Sequence, residues 1–160
     1  MKFSHDLTYD AAPEVVLQML ADPAFRERVC QAMHTVRHDV TVDGSGAGMT
    51  VVVDQSQPTR GAPPFVERFI GDAVRIVRRE SWQDVTHATL AVEVPGKPAR
   101  IDGGIRLVGR DGSTVQTVSG DVEVRIPLVG GRVEDLVADT FRSALHAEER
   151  VGRSWLAGDR

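Results

Sequence analysis

An α+β fold, in which a curved antiparallel sheet of about seven strands wraps one long C-terminal helix, is predicted by three observations on this 160-residue chain. Extended helical periodicity occurs only near the two ends. The roughly ninety residues between them alternate apolar with polar positions. The last stretch then carries one continuous apolar stripe, long enough to cross a sheet. With helices outside the strand run and not between strands, a parallel βαβ sheet is excluded.

The elements follow in chain order. KFSHDLTY alternates, with Phe3, His5, Leu7 and Tyr9 on one side, and reads as a half-buried strand. DAAPEVVLQMLADPAFRERVCQAM changes period: Asp10 is a plausible cap, Pro13 stands in the first turn, and Asp22-Pro23 restarts the pattern. Two short helices meeting at Ala21-Asp22 are expected. From His34 about six strands follow, separated by turn chemistry at GSGAG, PGKP and RDGS. The apolar parity of these strands puts Val36, Val40 and Val42 inward, with Met49, Val51 and Val53, then Leu90, Val92 and Val94. It continues with Ile101, Ile105 and Leu107, and with Val118, Val122, Val124 and Ile126. PTRGAPPFVERFIGD interrupts the meander, and Phe65, Val66, Phe69 and Ile70 mark a short helix there, either a lid over a cavity mouth or a plug in the open end of the sheet. Finally, Val133, Leu136, Val137, Thr140, Phe141, Ala144, Leu145, Val151, Trp155 and Leu156 define a helix of about 25 residues, roughly 38 Å. Pro127 ends the last strand, and Gly130-Gly131 is expected to supply the permissive backbone that folds this helix back over the sheet.

Composition narrows the function. Nineteen Lys and Arg against 23 Asp and Glu, interspersed, offer no basic stripe to a phosphate backbone, so nucleic acid is excluded as the expected partner. No apolar run reaches the roughly 20 residues of a transmembrane segment, and the start lacks the apolar core of a signal peptide. A single cysteine, Cys30, forms no internal disulfide; a cytoplasmic location is expected.

YDAAPEVVLQMLADPAF resembles the entry of the START-like, Bet v 1-like (SRPBCC, polyketide cyclase-like) helix-grip superfamily. QPTRGAPPFVERFIGD, PGKP, TVQTVSGDVEVRIPLVGGRVE and VGRSWLAG extend the resemblance, over nearly the full length, to an actinobacterial family of uncharacterised function within it. The resemblance implies one helix-grip domain over residues 1–160 and a hydrophobic cavity between sheet and last helix. It also implies ligands such as lipids or polyketides, with cyclase or dehydratase activity in some members; fold alone leaves the activity open.

Candidate cavity residues follow from parity. His38, Gln55, Gln57 and Gln116 share the inward side of their strands, where amides and an imidazole can hold a ligand carbonyl or hydroxyl, or else mark a wet rim. Phe69, Trp82, Val124, Phe141 and Leu145 complete the expected ligand-binding set. In VRIVRRESW, Arg78 and Glu80 share parity with Val74, Ile76 and Trp82: either both point inward, as a pair able to anchor a polar head group, or, the preferred reading, a bulge near Val77 turns both to solvent. Glu148 is expected to flank the helical stripe beside Glu149.

Other motifs carry nothing. GSGAG precedes a strand, where a phosphate loop needs a helix N-terminus. His34 and His38, four apart in a strand, stand about 13 Å from each other, so no metal site is assigned. There is no G-x-S-x-G elbow, Cys30 lies on an apolar helical stripe, and no motif calls for a cofactor. The expected function is non-enzymatic binding of a hydrophobic small molecule, a lipid or polyketide-like metabolite. One alternative is a cyclase or dehydratase with His38 and then Glu148 as acid or base. The other is a protein-interaction module using the convex sheet face or Phe65 to Ile70.

Overall fold

The alternating middle of the chain forms one seven-stranded antiparallel sheet in this computed structural model, which describes residues 1–160. In chain order the elements are β1 (Lys2–Tyr9), α1 (Pro13–Leu20), α2 (Pro23–Ala32), β2 (Arg37–Asp43), β3 (Thr50–Pro58) and α3 (Pro64–Ile70). They continue with β4 (Ala73–Trp82), β5 (His87–Glu93), β6 (Ala99–Arg110), β7 (Ser113–Val124) and α4 (Gly130–Leu156). The strands lie in the order β1-β7-β6-β5-β4-β3-β2, so β2 to β7 form a meander and β1 closes its far edge against β7. The expected α+β helix-grip architecture is present, with α4 lying across the curved sheet.

Local chemistry explains the element ends, with three corrections. Asp22 caps α2 by accepting a hydrogen bond from the Ala24 N–H at 2.9 Å, ahead of Pro23. Asp10 does not cap α1: the cap position belongs to Ala12, and Asp10 accepts from the Ser113 hydroxyl instead. Nor do Gly130 and Gly131 make the reversal before α4. Both lie inside the helix, while the left-handed residue is Leu128, with φ of 72°, in the turn after Pro127. Gly130 serves close approach, since a Cβ there would stand 3.0 Å from the Val124 carbonyl oxygen. Val36 precedes β2 and is exposed, beyond the end of the inward row it was expected to join.

The long β6–β7 hairpin contains a close backbone approach. Gly103 and Gly120 face each other across it. A Cβ on Gly103 would run into the Ser119 carbonyl oxygen and stand 2.6 Å from the Gly120 Cα. Two strands of 12 residues therefore approach at mid-length more closely than any side chain allows, which is where a sheet can bend around a helix.

The concave side is filled at one end only. Along β3, Met49 (just before the strand), Val51, Val53 and Gln55 are buried, and Gln57 is half-buried; along β4, Trp82, Glu80 and Arg78 are buried, and Ile76 and Val74 are half-buried. Tyr9, Leu20, Phe25 and Trp155 pack the closed end, where Phe25 and Trp155 meet edge to face at 5.7 Å. At the other end the space between sheet and helix stays open.

Candidate functional site

That space is a cavity of 460 Å³ lined by 30 residues, 21 of them hydrophobic. The sheet contributes Val53, Ile76, Val92 and Ile101; α4 contributes Val133, Val137, Phe141 and Ala144; α2 contributes Val29 and Cys30, and its C-cap Met33. Its mouth is bordered by α3, through Phe65, Phe69 and Ile70, and by the β5–β6 turn at Gly96 and Lys97. The Lys97 ammonium donates to the Phe69 carbonyl at 2.9 Å, joining the two. Burial pushes the Cys30 thiol up to about 11, so it is a wall residue and not a thiolate at neutral pH.

Charged side chains form the floor. Arg26 of α2 grips Glu80 of β4 with two parallel bonds, Nη1 to Oε1 at 3.0 Å and Nη2 to Oε2 at 2.9 Å, while its Nε donates to the Leu20 carbonyl. Trp82 Nε1 donates to Glu80 Oε2 at 3.0 Å. Arg78 bridges onward, its Nη1 donating to Glu148 Oε2 at 2.9 Å and its Nη2 lying 2.8 Å from Glu80 Oε1. That second approach is an ion pair, and Arg78 Nε is left with no hydrogen-bond partner. Gln116 of β7 donates to Glu148 Oε1 at 3.0 Å. Arg26, Arg78 and Glu148 show a face to the cavity; Glu80, Trp82 and Gln116 stand behind it.

Burial alone would raise the Glu80 carboxyl, but Arg26 and Arg78 outweigh it and hold the group below the ordinary carboxylate value. Its stabilising contribution is therefore complete above that ordinary value and is lost as pH falls through the lower folded one. Thermal melts of the wild type and of Glu80→Gln between about pH 7 and pH 3 are expected to converge as pH falls. Asp54, Asp84 and Glu123, also held low by their partners and remote from the floor, affect both proteins alike and cancel in the difference. A constant gap would show that the Glu80 carboxyl titrates in the fold as it does in the unfolded chain.

The bulge expected near Val77 is absent. Val77 pairs with Asp54 on one side and Glu93 on the other in unbroken register, so strand parity carries Arg78 and Glu80 inward. Glu148 likewise lies in the stripe, 2% exposed, and does not flank it. Both inward placements hold because each charge meets an opposite one from another element, and those partners are remote in sequence. Arg26 was missed altogether. Its signal is helical spacing, since it shares a stripe with Val29 and Cys30 at i+3 and i+4.

Of the sequence-derived set, Gln55, Gln57, Phe69 and Phe141 meet at the cavity. Phe141 lies 5.9 Å from the Arg78 guanidinium. Trp82, Gln116 and Leu145 are buried behind the wall, and Val124 packs under the start of α4, its N–H donating to Glu134 at 3.3 Å. His38 sits half-buried on edge strand β2, its Nδ1 3.1 Å from the Thr35 hydroxyl, and contributes no cavity surface. Glu148 has both carboxylate oxygens engaged, by Gln116 and Arg78, so neither residue named for acid–base work faces the cavity with a free group.

The family described as Protein of unknown function (DUF2505) matches residues 4–156. A relative from Mycobacterium tuberculosis (strain ATCC 25618 / H37Rv), Uncharacterized protein Rv0481c, is 22% identical over 122 residues, covering 72% of this chain and 70% of its own. Among solved structures, TTHA0849 from Thermus thermophilus superposes with a TM-score of 0.67 at 16% identity, covering 99% of both chains. A START superfamily protein from Mycobacterium smegmatis superposes with a TM-score of 0.61 at 15% identity, covering 94% of this chain and 96% of that one. At these identities the likeness is one of fold.

Proposed function

The chain belongs to the DUF2505 family, whose fold here is START-like, and we propose that it binds a hydrophobic small molecule between sheet and α4. The observation that carries this reading is the cavity itself: 460 Å³, predominantly apolar, walled by three layers of secondary structure and open at one end. A ligand that removes about 300 Å² of apolar surface from water there gains roughly 7–8 kcal/mol before the costs of association. The floor explains how such a space persists. Arg26, Arg78, Glu80 and Glu148 tie α2, β4 and α4 together, and ion pairs fix a separation that apolar side chains would otherwise fill by collapse.

Entry is across α3. The ends of its loop are clamped, the Thr59 hydroxyl donating to the Gly71 carbonyl at 2.6 Å and the Thr59 N–H to the Asp72 carbonyl at 2.9 Å. The segment can then move as one unit about Gly71, whose φ of 92° is glycine territory.

Ala144→Trp is the direct test, because Ala144 faces the cavity from α4 between Phe141 and Glu148. The indole is expected to occupy the space and weaken binding of an apolar fluorescent dye at least about tenfold, with the melting temperature held within a few degrees. Native mass spectrometry of the wild type as purified is expected to show a bound small molecule that the variant lacks. Unchanged dye affinity in a folded Ala144→Trp protein would refute cavity binding.

A further inference from the structure

Resting on the binding reading above, we infer that the ligand carries an uncharged head group with hydrogen-bonding capacity, a hydroxyl or phenol, set against the floor at Gln55 and Arg78, and not an ionised carboxylate. Four charged residues occur in the floor, and they cancel: Arg26 and Arg78 against Glu80 and Glu148, each within 3.0 Å of an opposite charge. A buried carboxylate brought to this closed set would have no free cation to meet and would face two carboxylates already there. Lys97 is the only other ionic residue of the cavity surface, and it is solvent-exposed at the mouth, at the far end from the floor.

Unused hydrogen-bonding capacity lies instead in neutral and partly satisfied groups. Gln55 is only 7% exposed, yet its carbonyl oxygen has no partner; Arg78, 9% exposed, has an unpartnered Nε, while its Nη2 is held by the ion pair with Glu80. Strand register places them together: Arg78 pairs with Val53, and Gln55 is two residues further along the same face of β3, a diagonal neighbour at about 7–8 Å between Cα atoms. Buried polar groups normally find partners, and a pair left open on one wall of an otherwise apolar cavity is the kind of feature a ligand completes. Gln55 accepts the ligand's O–H after rotation of its amide, and Arg78 donates to the same oxygen.

The test uses three probes of one shape, hexylbenzene, 4-hexylphenol and 4-hexylbenzoate, titrated by calorimetry near pH 7.5 against wild type and Gln55→Met. The phenol is neutral there and the benzoate ionised. In the wild type the phenol is expected to bind about tenfold tighter than hexylbenzene, the worth of one hydrogen bond, and at least about tenfold tighter than the benzoate. Gln55→Met should bring phenol and hexylbenzene within about twofold while leaving hexylbenzene itself unchanged. Its melting temperature should be no lower than wild type, because the substitution removes an unsatisfied buried amide. A benzoate that equals or beats the phenol overturns the inference, and so does a phenol preference that survives in Gln55→Met. If hexylbenzene and both analogues all fail to bind wild type, the cavity-binding reading falls too, which separates the two failures.

Discussion

Glu80→Gln is expected to destabilise the protein by about 3–5 kcal/mol, the cost of leaving a buried charge uncompensated. Arg26 would lose the carboxylate it grips with both terminal nitrogens, at 3% and 0% side-chain exposure, and would keep its own charge in the core. For a chain of this length that corresponds to a fall of roughly 6–20 °C in melting temperature, readable by calorimetry at neutral pH. The double variant Arg26→Met with Glu80→Met removes both charges, leaves Arg78 paired with Glu148, and is expected to lose less than Glu80→Gln alone. A loss below about 1 kcal/mol for Glu80→Gln would mean that water reaches the pair and the floor is not dry.

Gly103→Ala is the second large effect, expected to cost on the order of 3 kcal/mol or more. The added methyl would collide with the Ser119 carbonyl and the Gly120 Cα, which are backbone atoms of the paired strand and cannot swing aside as a long side chain would. The hairpin must separate at mid-length. Gly131→Ala is the matched control with the opposite sign. No atom outside its own stretch of helix backbone lies within 4 Å of its new Cβ, the residue sits in the first turn of α4, and alanine is the better helix former by about 1 kcal/mol. If chemical denaturation showed both substitutions harmless, the close approach of β6 and β7 would not be a constraint on the fold.

Much of the architecture was legible because periodicity is a local property. Two-residue alternation, the Asp22-Pro23 restart and the stripe from Val133 to Leu156 each fix an element from its own residues, and the order of those elements leaves few topologies. Strand parity also located Gln55 and Gln57 at the cavity, and helical spacing located Phe69 and Phe141. Parity carried less weight at charged positions. It failed where local plausibility and tertiary pairing disagree. A bulge at Val77 is the cheaper local answer for two charges in an apolar row; it is not the observed one, because Arg26 lies 54 residues from Glu80 and Glu148 lies 70 residues from Arg78. The turn before α4 misled for a related reason. Glycine is the residue most at ease at positive φ, yet Leu128 takes that conformation while Gly130 is spent on the approach to Val124.

The sequence by itself determined the fold class, the path of the meander, the helix that the sheet wraps and the apolar character of what lies between them. All of these follow from side chains partitioning between water and a core along a chain of known period. Only the tertiary structure decided that the core is filled at one end and open at the other, and that a neutral set of buried charges divides the two. The physical reason is that the energy of a buried charge depends on what stands within about 3–4 Å of it in space. Spacing along the chain carries no record of that distance.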